Sequence, residues 1–446
     1  MSLKKTAVRR AALFAILCAI VVSAILVLSS CGSSVIRSKE ELLEEVNSSA
    51  SRSYSNVSSY LKKWGFPDSD STKLKYIENL FKNYYVGEMP EVGDAARSVA
   101  LNFLENYYDN IDLSDEDKVT DALINCYIAA VGDKYSHYMN PEEYESYNAE
   151  MSGEFCGIGV YISYSALDGT YEILNVFEDS PAETAGILPG DFIVAVDGTD
   201  VDILGYEGTL GAVKGEQGSS VSITVLRGTE RIEFSMLRTE LEDITVTHEI
   251  LAGNIGYIRI TQFIQNTASQ FTAAVDSLTD AGVSGIIFDV RSNPGGYLTS
   301  IIEVLDYLLP DGGDIVGYKY YDGSTDSTKA SDGHQVSLPF AVLCNEYTAS
   351  AAELFTSALR DYAAEGIIDA TIIGQTTYKK GTMQSTFEYK DGSAITISIA
   401  LYNPPSGVNY EGIGITPDHI IENTGSEDLQ LEFAINCLTN IQQNAA

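Results

Sequence analysis

The chain of 446 residues is 45% apolar and carries 37 glycines, which suits two or three domains with their own cores and excludes wholesale disorder. A formal net charge of −36 makes its surface repel phosphate-rich partners, so neither nucleic acid nor adhesion of the folded surface to an anionic membrane is expected. The first element is a targeting segment. Lys4, Lys5, Arg9 and Arg10 precede the apolar run AALFAILCAIVVSAILVL (11–28), interrupted only by Ser23 and ending in Leu28-Ser29-Ser30-Cys31. A basic stretch, an apolar core and small residues describe an export signal.

The Leu-Ser-Ser-Cys ending is similar to the bacterial lipoprotein box, which would make Cys31 the lipidated residue. An uncleaved anchor is the alternative, since about 20 apolar residues span a bilayer. The positive charges precede the run, so either reading holds the rest of the chain at the membrane on its extracytoplasmic side. Residues 1–31 are thus read as signal or anchor and 32–71, Ser-rich at first, as a tether passing into weak helix.

Helical periodicity follows over 72–149, in LKYIENLFKNYY, ARSVALNFLENYY and DKVTDALINCYIAAVG. From 153 to 239 the texture changes to period two: GIGVYISYS, YEILNVF, DFIVAVDG, VSITVLR and RIEFSML predict short strands, with a brief helix in DSPAETAG. From 246 to 422 strand and helix alternate, which predicts an α/β core around a largely parallel sheet. MQSTFEY and AITISIALY are joined by a hairpin turn at Lys-Asp-Gly-Ser, and 423–446 predicts a closing helix. Cys126, Cys156, Cys344 and Cys437 are far apart in apolar contexts without a CxxC, so buried free thiols are expected rather than disulfides or a metal site.

In the β-rich segment, Gly157-Ile158-Gly159-Val160 opens a strand, where backbone N–H groups could capture a carboxylate. Together with SPAETAGILPGDFIVAVDG, the pattern resembles a PDZ domain, whose loop at this place takes C-terminal carboxylates while the peptide adds as a strand.

In the core, the strand PFAVLC leads through NEYTAS into the helix at Ala351. That junction holds the Ser350 hydroxyl clear of the sheet beside the helix's unpaired N–H groups, which suits a nucleophile with an oxyanion site; a helix N-cap is the plainer use of such a serine. His137, His248, His334 and His419 lie in unrelated contexts, HExxH fails at Ala252, and no G-x-S-x-G occurs. A desolvated lysine can serve as base instead. Lys379 and Lys380 are both candidates. If a strand begins at Lys380, the spacing to Gln384 puts both side chains on one face. Gly295 and Gly296, in DVRSNPGGYL, would permit close approach of a peptide carbonyl.

Over residues 74–422 the chain resembles the C-terminal processing peptidases, also called tail-specific proteases, a Ser/Lys family with an embedded PDZ domain. The resemblance rests on GDKYSHYMNPEEY, SGEFCGIGV, NIGYIRITQF, DVRSNPGG, NEYTASAAE, YKKGTMQ and GIGITPD, in that order. It implies a multidomain α/β protein: an N-terminal helical region, a PDZ domain and a crotonase- or ClpP-like catalytic core. It also implies Ser350 as nucleophile, Lys380 as base and Gln384 as its orienting residue, with backbone N–H donors at Ala351 and Gly295. No metal or cofactor is implied. The implied partners are polypeptides with exposed C-terminal tails, and helices of this kind form homodimers in some members. Three departures stand out: Tyr347 and Lys379 replace the family's usual glycines, Ala352 replaces a frequent serine, and the Ser350–Lys380 interval is about five residues longer, the excess falling in 363–369.

Overall fold

The computed structural model describes residues 36–48, 54–165, 169–177, 179–424 and 427–445, so the targeting segment with Cys31 lies outside the described residues. The chain divides into two compact units, one holding residues up to 83 together with 88–138, the other 84–87 together with 139–446.

The first unit is helical: α1 (Lys39–Ser48), α2 (Val57–Trp64), α3 (Ser71–Tyr84), α4 (Val92–Asn106) and α5 (Glu116–Val131). The expected periodicity is realised in α5, where Val119, Ala122, Leu123, Cys126 and Ile128 are buried. Asp115 caps its start and Gly132, at φ 83°, ends it. The Ser-rich stretch passes into helix. Helices α1 and α2 fall inside 32–71 because Leu42, Val46, Val57, Leu61 and Trp64 supply a buried face among the polar residues. Buried Glu78 of α3 accepts the Val57 and Ser58 N–H groups at the start of α2, and burial pushes its carboxyl above the usual range despite those bonds.

The second unit opens with α6 (Pro141–Ser152), started by an Asn140–Glu143 capping box. Then come β1 (Glu154–Gly157), β2 (Val160–Ser165), β3 (Thr170–Val176), α7 (Pro181–Ala185), β4 (Phe192–Val196), α8 (Val201–Val213), β5 (Ser220–Arg227), β6 (Glu230–Leu237) and β7 (Thr239–Glu242). Strands β2 to β6 form an antiparallel sheet in chain order with β2 at its edge, and β1 pairs with β7. Ile158, Ile173, Ile193, Val221, Ile223 and Val225 fill this domain's own core. Helix α8 was not expected, since Gly205, Gly208 and Gly211 depress helix propensity by about 1 kcal/mol each.

The α/β core is built from β8 (Val246–Leu251), β9 (Ile255–Ile260), α9 (Thr267–Asp280), β10 (Ile286–Asp289), α10 (Leu298–Leu308), β11 (Asp314–Tyr320), β12 (Thr325–Lys329), β13 (Phe340–Cys344), α11 (Ala351–Ala364), β14 (Ala370–Gly374), β15 (Thr382–Glu388), β16 (Ala394–Asn403), β17 (His419–Ile420) and α12 (Leu429–Ala445). Its main sheet runs β8-β9-β10-β13-β14-β17, parallel except for β8. Strands β10 and β13 are buried at every residue, which explains the unbroken apolar run of β13 and that of Ile286–Phe288 in β10, where Asp289 is the one polar residue. Strands β11, β12, β15 and β16 form a second, antiparallel sheet. One face of the main sheet packs on α9, α10 and α11 through Phe271, Phe288 and Phe355; α12 covers the other with Ala434 and Leu438.

Candidate active site

Two loops meet at the C-terminal ends of β10 and β13. The first, 290–296, is anchored by Asp289, fully buried, which pairs with Arg259 (2.7 Å) and Arg291 (2.6 Å) and accepts from Tyr257. Burial alone would raise the Asp289 carboxyl, but the two guanidinium groups outweigh it and hold it below the usual range. The second loop, 345–350, is stitched to the first: Ser292 N–H donates to Asn345 Oδ1, Ala349 N–H to Asn293 O, and Thr348 Oγ1 to Val290 O.

Ser350 emerges from this junction at φ 54°, ψ −117° as the residue preceding α11. A non-glycine residue in that region stores about 1–3 kcal/mol and persists only where its surroundings enforce it. The close approach of Gly295 shows the same crowding: a Cβ there would lie 2.7 Å from Ser350 Cβ and 2.9 Å from Ala351 N. The Ala351 N–H, first in the helix, has no acceptor among the described residues. Gly295 departs from the expected donor role in this conformation, because its N–H donates to Asn293 Oδ1 at 2.8 Å while Asn293 Nδ2 is held by Ile260 O. Among the described residues the neighbouring Gly296 N–H has no acceptor; that glycine is enforced by φ 144° and by Phe263 O, 2.0 Å from a would-be Cβ.

The feature that joins nucleophile and base candidates is Glu353, fully buried one turn into α11. Its Oε2 accepts the Ser350 N–H (3.0 Å) and the Lys380 N–H (2.8 Å); its Oε1 accepts the Lys379 N–H (2.7 Å) and Thr377 Oγ1 (2.5 Å). Burial pushes this carboxyl above its ordinary range, although all four donors favour the charged form. Sequence reasoning missed Glu353, yet a signal existed: Ser350-x-x-Glu353 is a capping-box pattern, which says helix start but not that the carboxylate also reaches residues 377–380. Two tyrosines were missed as well. Tyr402 Oη lies 3.3 Å from Ser350 Oγ and 3.2 Å from Lys380 O, and Tyr410 Oη donates to Ser350 O at 3.4 Å. Burial pushes both phenols up, so they stay protonated.

Lys379 and Lys380 differ in setting. Lys379 is exposed with φ 83°, a left-handed conformation that favours glycine, which accounts for the residue type expected there; Lys380 is half-buried. Strand β15 starts at Thr382, so Lys380 precedes it and the one-face argument from strand spacing does not apply. The Gln384 amide donates to Thr382 O and Oγ1, both at 2.9 Å, and to Ser398 Oγ at 3.3 Å. Ser350 Oγ accepts from the Tyr402 hydroxyl. His334 is stacked on Tyr307 and bonded to its carbonyl.

The loop Gly157-Ile158-Gly159-Val160 is a separate site that lines a cavity of about 290 Å³ in the β-rich domain. The Ile158 and Gly159 carbonyls accept from Ala182 and Phe177, and Gly159 must be glycine, since at φ 81° a Cβ would stand 2.3 Å from Ser180 Cβ. Cys126 and Cys344 are buried free thiols, each pushed up to about 12 by burial, while Cys156 and Cys437 are half-buried.

Comparison with known proteins decides the family. The profile of Peptidase family S41 matches residues 254–421, and that of the PDZ domain matches 172–227. The Synechocystis sp. (strain ATCC 27184 / PCC 6803 / Kazusa) protein described as a carboxyl-terminal-processing protease is 30% identical over 326 residues, covering 70% of this chain and 75% of that protein. The chain belongs to peptidase family S41. The carboxy-terminal processing protease CtpA of Bacillus subtilis (strain 168) is 35% identical over 305 residues, covering 68% of this chain and 64% of its own length. Among solved structures, a putative S41 protease from Bacteroides fragilis NCTC 9343 superposes with a TM-score of 0.52 at 16% identity, covering 83% of this chain and 97% of that one; it shares the fold. The S41 chain is thus a multidomain α/β protein with an N-terminal helical region, a PDZ domain and a serine-protease-type core.

Proposed function

We propose that the protein is a serine endopeptidase that cuts polypeptides at or from their C-terminal region, with Ser350 as nucleophile, Lys380 as general base and Gln384 orienting the base. One observation carries this reading. The two oxygens of the buried Glu353 carboxylate hold the main chains of Ser350 and of Lys379–Lys380 together, although 30 residues separate Ser350 from Lys380. In the reaction, neutral Lys380 Nζ takes the Ser350 Oγ proton as Oγ bonds to the scissile carbonyl carbon. The oxyanion receives the Ala351 N–H and a second N–H from the 295–296 pair, for which Gly296 is the better-suited donor while Asn293 occupies Gly295. Lys380 then gives its proton to the leaving amine, and water, deprotonated by Lys380, releases the acyl group and restores Ser350. The Tyr402 hydroxyl donates to Ser350 Oγ, which leaves the serine's own proton for the lysine.

The PDZ loop at Gly157, Ile158, Gly159 and Val160 receives substrate tails or gates the core. The substrates are exported polypeptides, reached at the extracytoplasmic face of a membrane to which the N-terminus is attached through Cys31 or an uncleaved span. The function is assigned to the domains 153–239 and 246–422, with helical flanks at 72–149 and 423–446 through which two copies associate.

The test is labelling by a fluorophosphonate and digestion of an unfolded protein with an apolar C-terminal tail. Ser350→Ala and Lys380→Ala should each abolish both, and Lys379→Ala should leave both. Binding of the tail peptide without labelling of the unaltered chain would replace the protease reading by a peptide-binding scaffold.

A further inference from the structure

The PDZ groove has two ends, and the structure distinguishes them. At one end lies the loop 157–160. From there β2 runs as the edge strand of its sheet, its outer side unpaired by any named strand among the described residues, with α8 bordering the same cavity through Tyr206, Leu210 and Val213. At the other end Tyr164 of β2 meets Tyr206 of α8, ring centroids 5.2 Å apart at 40°. Tyr164 is itself braced by Tyr171 on β3, at 4.9 Å, and Tyr171 is a fully packed core residue. The Tyr206 side is fixed differently. Helix α8 is interrupted at Gly205, φ 68° and ψ −175°, so Tyr206 begins a new helical segment and is turned toward β2. A Cβ on Gly205 would meet nothing within 4 Å, so glycine is needed there for its backbone angle and not for space.

We propose that the Tyr164–Tyr206 pair is an aromatic stop across the peptide groove, a specificity device that confines recognition to the last three or four residues of a substrate tail. The proposal rests on the tail-binding reading of the PDZ domain. Its length follows from strand geometry: from Val160 to Tyr164 is four residues, about 13 Å at about 3.3 Å each. A tail added to β2 with its carboxylate at the 157–160 loop reaches the ring pair after that distance. Residues further upstream must leave the groove over the rings, contributing no strand pairing. The pair therefore makes the domain a reader of short termini, indifferent to what precedes them.

The test measures binding of N-terminally dye-labelled apolar peptides of three, four, six and eight residues to the full chain carrying Ser350→Ala, which prevents turnover. In this protein affinity should rise up to four residues and then level off. With Tyr206→Ala added, affinity should keep rising, six- and eight-residue peptides gaining a factor of about 2 to 10, the range of one further strand-pairing hydrogen bond. Tyr164→Ala should give the same release, the double variant no more than either alone, and Tyr206→Phe should keep the plateau because the ring and not the hydroxyl forms the stop. A steady rise with length in the chain with both tyrosines, or an unchanged plateau in both alanine variants, overturns the proposal. C-terminally amidated peptides separate it from the reading beneath it. If they bind as well as the free acids, tail capture by the carboxylate has failed; if only the acids bind, that reading stands and the length series judges the stop alone.

Discussion

Removing the charge of Glu353 while keeping its shape tests whether one carboxylate organises the site. Glutamine offers one accepting oxygen and one donating nitrogen, so two of the four donors now served lose an acceptor. If nitrogen replaces Oε2, the Ser350 and Lys380 N–H groups both face a donor. At about 1–3 kcal/mol for each buried unsatisfied group, that costs about 2–6 kcal/mol. If it replaces Oε1, the Thr377 hydroxyl can turn and accept, and only the Lys379 N–H is stranded, about 1–3 kcal/mol. Glu353→Gln should therefore adopt the second orientation, lose about 1–3 kcal/mol, and keep Ser350 and Lys380 tied. Glu353→Ala strands three main-chain donors and should lose at least about 3 kcal/mol. Urea unfolding followed by far-ultraviolet circular dichroism reads the core; tryptophan emission does not, because Trp64, the single tryptophan, lies in the helical unit. Fluorophosphonate labelling should be slowed modestly in the glutamine variant and by far more in the alanine variant. Wild-type stability and labelling in Glu353→Ala would refute the argument.

Lys379→Gly should raise stability by up to about 1 kcal/mol, because φ 83° strains any side chain, and should leave labelling intact; lost labelling would move the base to Lys379. Gly296→Ala should unfold the site or lower the melting temperature by several degrees, since the added methyl stands 2.0 Å from Phe263 O; a normal melting curve would contradict the close approach. Asp289→Asn should cost about 3–5 kcal/mol by leaving Arg259 and Arg291 partly unpaired in a buried place, read by urea unfolding. The two buried carboxyls give opposite pH signatures. Asp289 is held below its ordinary 3.8 in the folded chain, so its contribution is present above that pH and is lost as pH falls through the lower folded value. Glu353 is pushed above 4.5, so its contribution is full below 4.5 and declines as pH rises through the raised folded value; Glu353→Gln should lack that decline in a stability–pH series.

Much of this was legible before the fold was known. Strand β13 is buried throughout and reads as an unbroken apolar run, and Ser350 stands where that strand gives way to an amphipathic helix. The helices inside the Ser-rich stretch left only a weak signal because their buried faces are thin, and α8 was hidden by its glycines. What no local pattern could supply was the tertiary bonding of single groups: Asn293 taking the Gly295 N–H, Tyr402 meeting Ser350, and Glu353 reaching across to residues 377–380. Lys380 and Gln384 do not share a strand, because β15 begins only at Thr382, two residues past the lysine.

Because Glu353 sets the distance between the two chain segments, the polypeptide running between them is relieved of that duty. Helix α11 carries the chain away over 14 residues, about 20 Å, to an exposed bend at Gly366 and Ile367 before β14 brings it back. That bend is a natural handle: an affinity tag, a fluorophore or an entire reporter domain spliced there would ride on the surface without altering the separation of serine and lysine, and natural variation in its length is free to accumulate for the same reason.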